Sequence, residues 1–597
     1  MRNDLKKRPQ SGKRKRKKKK KSHASIFIIW IFIFIALGSV GYLAMYFFLP
    51  SYESQDFHTY FGIDPNEVTI VIKDSRLTNE RRAFSSGGEV YFPLSFVTEY
   101  IDEYIFWDEA LSKATVTALD KVIRIKADEL KYYINDAPVE TSLPLVTQGG
   151  EAFMPSSMIA ELYQVEFSYS QRENIAVMDY LTEPKQKRKI AAQTTNVRYK
   201  PDKKALIEER LMQDQQVFVY SEEDEYTRIR TENGLLGYVL TRDLGLSETI
   251  DAEPLIEPAA AATYTPINGK VNLVWDQMQY KEANTTPERL TPKGGLDVLS
   301  PTWFTFDVNS QNGDILSIGD PAYVEWAHSQ GYQVWALLSD FSSDRSVLLH
   351  QEIIEMALSD TDIRQHVIEQ LLSFIAEYNL DGINIDFEYL QKEYADCYLQ
   401  FFRELYPYMR SRGKALSVDV YNPDMPSYWS QYYNRSEVGK VVDYVCVMAY
   451  DENADSAASG PNASFSFVDL GISQTVSEVP SEKVILGLPF FVRVWTEKTV
   501  DGVLKCTNEA VDMQTAYSQF ASRGAEIRWD DALKCYYSEY ITQEDGVDAL
   551  KRVWLEEAAS IEEKLKLVEL YDLAGVAGWR RGLETDDVWS LIEEYIP

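Results

Sequence analysis

From about residue 270 onward, short apolar runs alternate with amphipathic stretches. The runs are Val271-Asn-Leu-Val-Trp275, Leu296-Asp-Val-Leu-Ser300, Gln333-Val-Trp-Ala-Leu-Leu338 and the stretch from Gly382 to Phe387. Leu416-Ser-Val-Asp-Val420, Tyr444-Val-Cys-Val-Met448, Val484-Ile-Leu-Gly-Leu488 and Gly575-Val-Ala-Gly-Trp579 continue the series. Each run has strand length, and the stretches between them, such as Asp362 to Tyr378, carry apolar residues at helical spacing. Eight such runs predict eight parallel strands with helices between them. That is a (β/α)8 TIM barrel, in which chemistry sits at the C-terminal ends of the strands. The barrel is expected over residues 267–597, with a small α+β insertion at about 496–560.

The fourth run, Asp381-Gly-Ile-Asn-Ile-Asp-Phe-Glu388, breaks the apolar rule. Side chains alternate along a strand with period two. Ile383, Ile385 and Phe387 therefore face the helices, and Asn384, Asp386 and Glu388 face the barrel axis, with Glu388 nearest the open end. A buried polar row is costly unless it has partners or a task. Asp381 has the wrong parity for the pocket and is expected to brace the start of the strand.

Upstream, the pattern changes three times. Residues 26–49 contain no charge, are long enough to span a bilayer and end at Pro50. A cleavable signal would have a shorter apolar core. Residues 51–183 hold an internal repeat: Glu89-Val-Tyr-Phe-Pro-Leu-Ser-Phe-Val97 with Tyr104-Ile-Phe-Trp-Asp108, then Glu151-Ala-Phe-Met-Pro-Ser-Ser-Met-Ile159 with Val165-Glu-Phe-Ser-Tyr169. Each copy reads as strand, helix and strand, giving an α+β repeat domain. Residues 187–247 read as several short strands turning at Pro or Gly, a small all-β barrel. Residues 250–266, rich in Pro and Ala, read as a linker.

Charge sharpens this picture. The net charge of −31 combines an acidic body with a basic run at residues 13–21. Beside a spanning segment, the basic tail (residues 1–25) is expected in the cytoplasm and the rest outside, as a type II single-pass protein. An acidic body argues against a nucleic-acid partner. The four cysteines form no CxxC pair and there is no HExxH, so no metal or cofactor is expected. Cys506 and Cys535 either pair outside the cell or remain free thiols.

The fourth run resembles the DxxDxDxE signature of glycoside hydrolase family 18, the chitinase-like family. Asp381, Asp386 and Glu388 match; Asn384 stands where many members carry aspartate. Met448-Ala-Tyr-Asp451 resembles the family's sixth-strand motif, and Gly487-Leu-Pro-Phe-Phe-Val-Arg-Val-Trp495 its seventh. Trp579 stands at the family's pocket-floor tryptophan. The resemblance implies substrate-assisted, retaining hydrolysis of a β-linked N-acetylglucosamine polymer, an exception to the two-carboxylate scheme. It implies Glu388 as acid and then base, Asp386 as orienter and stabiliser of the acetamido group, and Tyr450 as its hydrogen-bond donor. Asn384, Asp451, Arg493 and Trp579 become substrate contacts. Since Asn384 cannot ionise, Asp386 is expected to stay ionised more readily.

The form DGxNxDFE, with Val553-Trp-Leu-Glu-Glu557, Ser560 and Lys564, resembles the branch of peptidoglycan N-acetylglucosaminidases. This favours peptidoglycan over chitin as substrate. A chitinase-like lectin and a wall-attached scaffold are the competing readings. Residues 51–183 resemble the stalk domains related to the N-terminal domain of copper amine oxidases. Residues 187–247 resemble a bacterial Src-homology-3-like barrel, which implies contact with wall peptides.

Overall fold

A computed structural model describes residues 23–596, apart from 78–81, 261, 263–266, 268, 341–346, 424–431, 455–457 and 545. The basic run and part of the linker therefore lie outside the described residues. The first described element is the helix His23–Phe48. Its stretch Ile26–Phe48 is long and apolar enough to cross a membrane, by length and composition.

The chain forms two compact units, residues 1–91 with 159–255, and residues 92–158 with 256–597. In the first unit, Thr69–Ile72 pairs in parallel with Ile175–Tyr180, so the two ends of the expected repeat meet in one sheet. A seven-stranded sheet runs from Lys185–Ile190 to Leu244–Ile250. Ile190, Val197, Leu211, Val217, Ile229, Val239 and Leu244 form its core.

The second unit contains the barrel. Its strands are β1 Val271–Asp276, β2 Val298–Pro301, β3 Gln333–Ser339, β4 Gly382–Asp386, β5 Ala415–Tyr421, β6 Tyr444–Met448, β7 Val484–Pro489 and β8 Gly575–Trp579. All neighbours pair in parallel, and β8 closes onto β1 at Gly575↔Val271. The closure needs glycine there: a Cβ on Gly575 would lie 1.9 Å from the Val271 carbonyl oxygen.

Local signals set the approach to β4. Asp360 caps the helix Thr361–Tyr378 by accepting the N–H groups of Asp362 and Ile363, and Asn379 ends it in the left-handed conformation. β4 starts three residues later. The insertion after β7 is a five-stranded antiparallel sheet of Phe491–Val500, Val503–Asp512, Arg528–Asp530, Cys535–Glu544 and Val547–Leu555, with the helix Met513–Ala521. It begins directly after β7, earlier than its expected start at about 496. Glu556, Ser560 and Lys564 form a buried knot at its far end: Glu556 accepts from the Lys564 ammonium at 2.7 Å and the Ser560 hydroxyl at 2.9 Å.

Residues 92–158 contribute a five-stranded meander, Phe106–Asp108 to Ala137–Glu140, to the barrel's unit. Two of its strands pack on the helix Ala395–Arg412. Arg124 reaches Glu404 at 3.1 Å, and Glu404 also pairs with Arg364 at 2.7 Å. Asp108 accepts the Thr361 N–H at 3.0 Å. The compact units thus divide the stretch that reads as one stalk domain.

Candidate active site

Asn384 lies at the centre of the barrel mouth and is fully buried. Its carbonyl oxygen accepts from the Trp275 indole at 2.9 Å and the Ser300 hydroxyl at 3.1 Å. Its amide donates to Asp419 at 2.8 Å. Asp419 also accepts from the Trp275 indole, at 3.1 Å. Side chains from β1, β2, β4 and β5 are therefore locked around one amide. Phe387 takes the other face, against Tyr398 and Phe401 of the adjoining helix.

Asp386 is buried, and its Oδ1 has no partner among the described residues. Glu388 accepts a hydrogen bond from Tyr421, at the end of β5. Its backbone N–H, with that of Tyr389, donates to Asp340 at 2.8 and 2.7 Å. Four carboxylates, Asp340, Asp386, Glu388 and Asp419, thus gather in the mouth. Among the described residues no lysine or arginine pairs with any of them.

Burial first, and that imbalance second, set their ionisation. Burial, and then repulsion from Glu388, Asp419 and Asp340, push Asp386 well above the ordinary carboxylate range. Burial also raises Glu388, opposed by the Tyr421 hydrogen bond and assisted by Asp451. Burial lifts Asp340 to about 8 despite its two backbone donors. It lifts Asp419 to about 7, despite hydrogen bonds from Asn384, Cys446 and Trp275. Asp386 is thus raised even with a neutral residue at position 384. Asp419, one hydrogen bond from Asn384, adds to the repulsion on Asp386.

The remaining sequence-derived residues divide. Tyr450 is buried beside the Trp275 and Phe491 rings. Trp579 ends β8 with its ring centroid 6.1 Å from that of Trp275. Asp451, in the left-handed region, pairs with Arg493 at 2.7 Å, and Arg493 also donates to Asn508 at 2.7 Å. Arg493 lies on the first strand of the insertion, so this pair joins the barrel mouth to the insertion sheet. Asp381 is set apart from the mouth. Its carboxylate accepts the Val334 N–H at 2.9 Å and pairs with His328 at 2.8 Å, bracing the starts of β3 and β4.

Sequence reasoning missed Asp340, Asp419, Tyr421, Trp275 and Ser300. Parity could have found two of them: Ser417, Asp419 and Tyr421 alternate with apolar Leu416, Val418 and Val420, as in β4. The four cysteines are free thiols. Among the described residues no group of His, Cys, Asp or Glu is arranged to hold a metal ion.

Asp386 and Glu388 thus stand at the C-terminal end of β4 in a parallel barrel, the end at which such barrels carry their chemistry. The profile "Glycosyl hydrolases family 18" matches residues 350–584, and the C-terminal barrel is a glycoside hydrolase family 18 domain. Residues 71–177 match the copper amine oxidase N-terminal domain.

Among curated relatives, the glycosylase YdhD of Bacillus subtilis (strain 168) is 25% identical over 285 residues, covering 47% of this chain and 65% of the relative. The cortical fragment-lytic enzyme of the same organism is 23% identical over 246 residues, covering 41% of this chain and 56% of the relative. The chain thus spans less than two-thirds of the length of both. The crystal structure of the Bacillus megaterium QM B1551 spore cortex-lytic enzyme SleL is 20% identical, with TM-score 0.47, covering 58% of this chain and 80% of that one.

Proposed function

We propose that this chain is a membrane-anchored extracellular glycoside hydrolase that cleaves β-linked N-acetylglucosamine polymers, peptidoglycan in particular, by retaining substrate-assisted catalysis. The observation that carries the reading is a cluster of four carboxylates, Asp340, Asp386 and Asp419 buried and Glu388 partly exposed, without a basic partner among the described residues. Such a site lacks a cation, and a cationic intermediate on the substrate provides one.

The sugar's 2-acetamido oxygen attacks its own anomeric carbon while Glu388 protonates the leaving oxygen. Glu388 suits this step because burial keeps it protonated above the usual carboxylate range. The oxazolinium ion that forms carries positive charge beside Asp386, which favours the ionised form of that carboxylate. Tyr450 donates to the acetamido oxygen. Water then attacks the anomeric carbon, its bond to the acetamido oxygen breaks, and Glu388, now ionised, takes the proton from the water. Trp579 offers a face to the sugar, and the Asp451–Arg493 pair lines one wall. Asn384 holds the floor and keeps Asp419 behind Asp386.

The apolar helix Ile26–Phe48 supports an uncleaved anchor with the domains outside. The cortical fragment-lytic relative and the DGxNxDFE form support peptidoglycan as the polymer. The resemblance of residues 187–247 to a Src-homology-3-like barrel supports wall-peptide contact by that domain. The test is full-length protein in detergent, assayed on peptidoglycan and chitooligosaccharides, wild type against Glu388→Gln. Loss of turnover in the variant is expected. Equal activity in both proteins would sink the assignment, and tight binding without turnover by the wild type would mark a lectin.

A further inference from the structure

At the rim between β1 and β8, two arginines share one carboxylate. Asp276, the last residue of β1, is fully buried and pairs with both Arg289 and Arg581. Tyr323 donates a further hydrogen bond to it at 2.8 Å. This one carboxylate therefore already serves two guanidiniums. A third, Arg580, stands between Trp579 and Arg581 in sequence and is half-buried. Among the described residues its side chain forms no ion pair and no hydrogen bond.

Two carboxylates near Arg580 attract it without forming an ion pair or hydrogen bond with it among the described residues. Burial, then repulsion from Arg289, hold it below the ordinary arginine range, against attraction from Asp276 and Glu584. Glu584 is itself engaged, by the Trp589 indole at 2.9 Å and Lys293 at 3.4 Å. A half-buried cation without a counter-ion is costly until an anion joins it. The contrast with the rest of the chain is sharp, since acidic residues outnumber basic ones 92 to 61.

The backbone of Arg580 stands beside the catalytic mouth. Trp579 is the last residue of β8, its ring against Trp275. The Arg581 N–H donates to the Trp275 carbonyl at 3.0 Å. The Trp275 indole in turn holds Asn384 and Asp419. Arg580 therefore sits between two residues tied directly to the frame of the site.

We propose that Arg580 is the binding site for a carboxylate on the substrate, and that it selects acidic glycans over neutral ones. The ligand class is a glycan whose sugars bear lactyl or peptide carboxylates, as in peptidoglycan; chitin carries none. This inference rests on the hydrolase reading above and names the feature of the polymer that the site recognises. A guanidinium presents two parallel donors that match a carboxylate. A neutral glycan in the same cleft would cover the cation and leave it unpaired, which is the basis of the discrimination.

The test compares kcat/KM on a lactyl-bearing glycan and on a chitooligosaccharide of equal length, using full-length protein. In Arg580→Gln the preference for the acidic glycan is expected to fall by about tenfold or more, the scale of a charge-assisted pair. Arg580→Lys is expected to keep an intermediate preference, and added salt to erode the wild-type preference more than that of the Gln variant. An equal loss on both glycans would reveal a structural role and overturn the proposal, as would an unaltered ratio. Should the wild type cut neither glycan, the hydrolase reading fails on its own. The carboxylate site is then read from binding to Glu388→Gln protein of the acidic glycan and of the same glycan with its carboxylates amidated. Equal affinities would overturn it, and weaker binding of the amidated form would support it.

Discussion

Two groups of buried acids in the same unit reach opposite electrostatic ends. On the barrel's flank, Glu404 is 0% exposed and lies between Arg364 and Arg124. The two guanidiniums outweigh its burial and hold its pKa below the ordinary glutamate range. In the barrel mouth, Asp340, Asp386 and Asp419 are buried and Glu388 is half-buried, none has a basic partner among the described residues, and all four are raised. Burial is common to both places; only the flank has the cations. The flank is a structural joint. The mouth keeps an electrostatic tension that a positively charged intermediate can relieve.

The comparison breaks most sharply at Glu388. Glu388→Gln is expected to lower kcat about a hundredfold to ten-thousandfold, the range of a lost general acid, with little change in thermal unfolding. A large fall in stability with only a small fall in kcat would place Glu388 with the structural acids. Glu404→Gln should do the reverse. Removing one partner of a buried ionic group costs about 3–5 kcal/mol, so denaturant unfolding should show a marked loss. Glu404 adds stability above its unfolded pKa, and that stability is lost as pH falls through its lowered folded pKa. The pH dependence of unfolding below about 4.5 should therefore weaken in the variant.

A smaller effect is expected at Asp419. Replacing it with asparagine removes one of the charges that raise Asp386, so the acid limb of the kcat profile should move to lower pH. The alkaline limb, governed by Glu388, should stay, because burial and Asp451 are what raise it. Movement of both limbs together would show that the mouth titrates as one unit.

Asp340→Asn acts on stability and leaves the catalytic groups in place. A carboxyl raised to about 8 in the folded state binds its proton more tightly there than when unfolded. Its penalty on stability therefore grows as pH rises from about 4 to about 8. The variant should unfold with a flatter pH dependence across that window, read from midpoints in denaturant. An unaltered slope would mean that its backbone donors already keep Asp340 ionised.

The flank and the mouth also differ in how far they could be read from the chain. Eight apolar runs of strand length announced β1 to β8, because parallel barrel strands are buried on both faces and leave long apolar signals. Period two announced Asn384, Asp386 and Glu388, since a strand fixes side-chain direction within a few residues. It also set Asp381 apart, and the structure places that residue against Val334 and His328.

The chain itself thus determined the barrel, the order of its strands and the polar row of β4. These follow from local periodicity and the requirement to bury apolar faces. Only the tertiary structure decided which groups meet. Asp419 stands 35 residues from Asn384, and Asp340 stands 48 from Glu388, yet each is within one hydrogen bond. Arg124 meets Glu404 across 280 residues and joins the meander of residues 92–158 to the barrel's unit. Ionisation follows from such meetings, because an acid's pKa depends on its burial and its neighbours, and neither is written in the residues beside it. For that reason the sequence could identify the acids at β4, while only the fold brought Asp419 and Asp340 beside them.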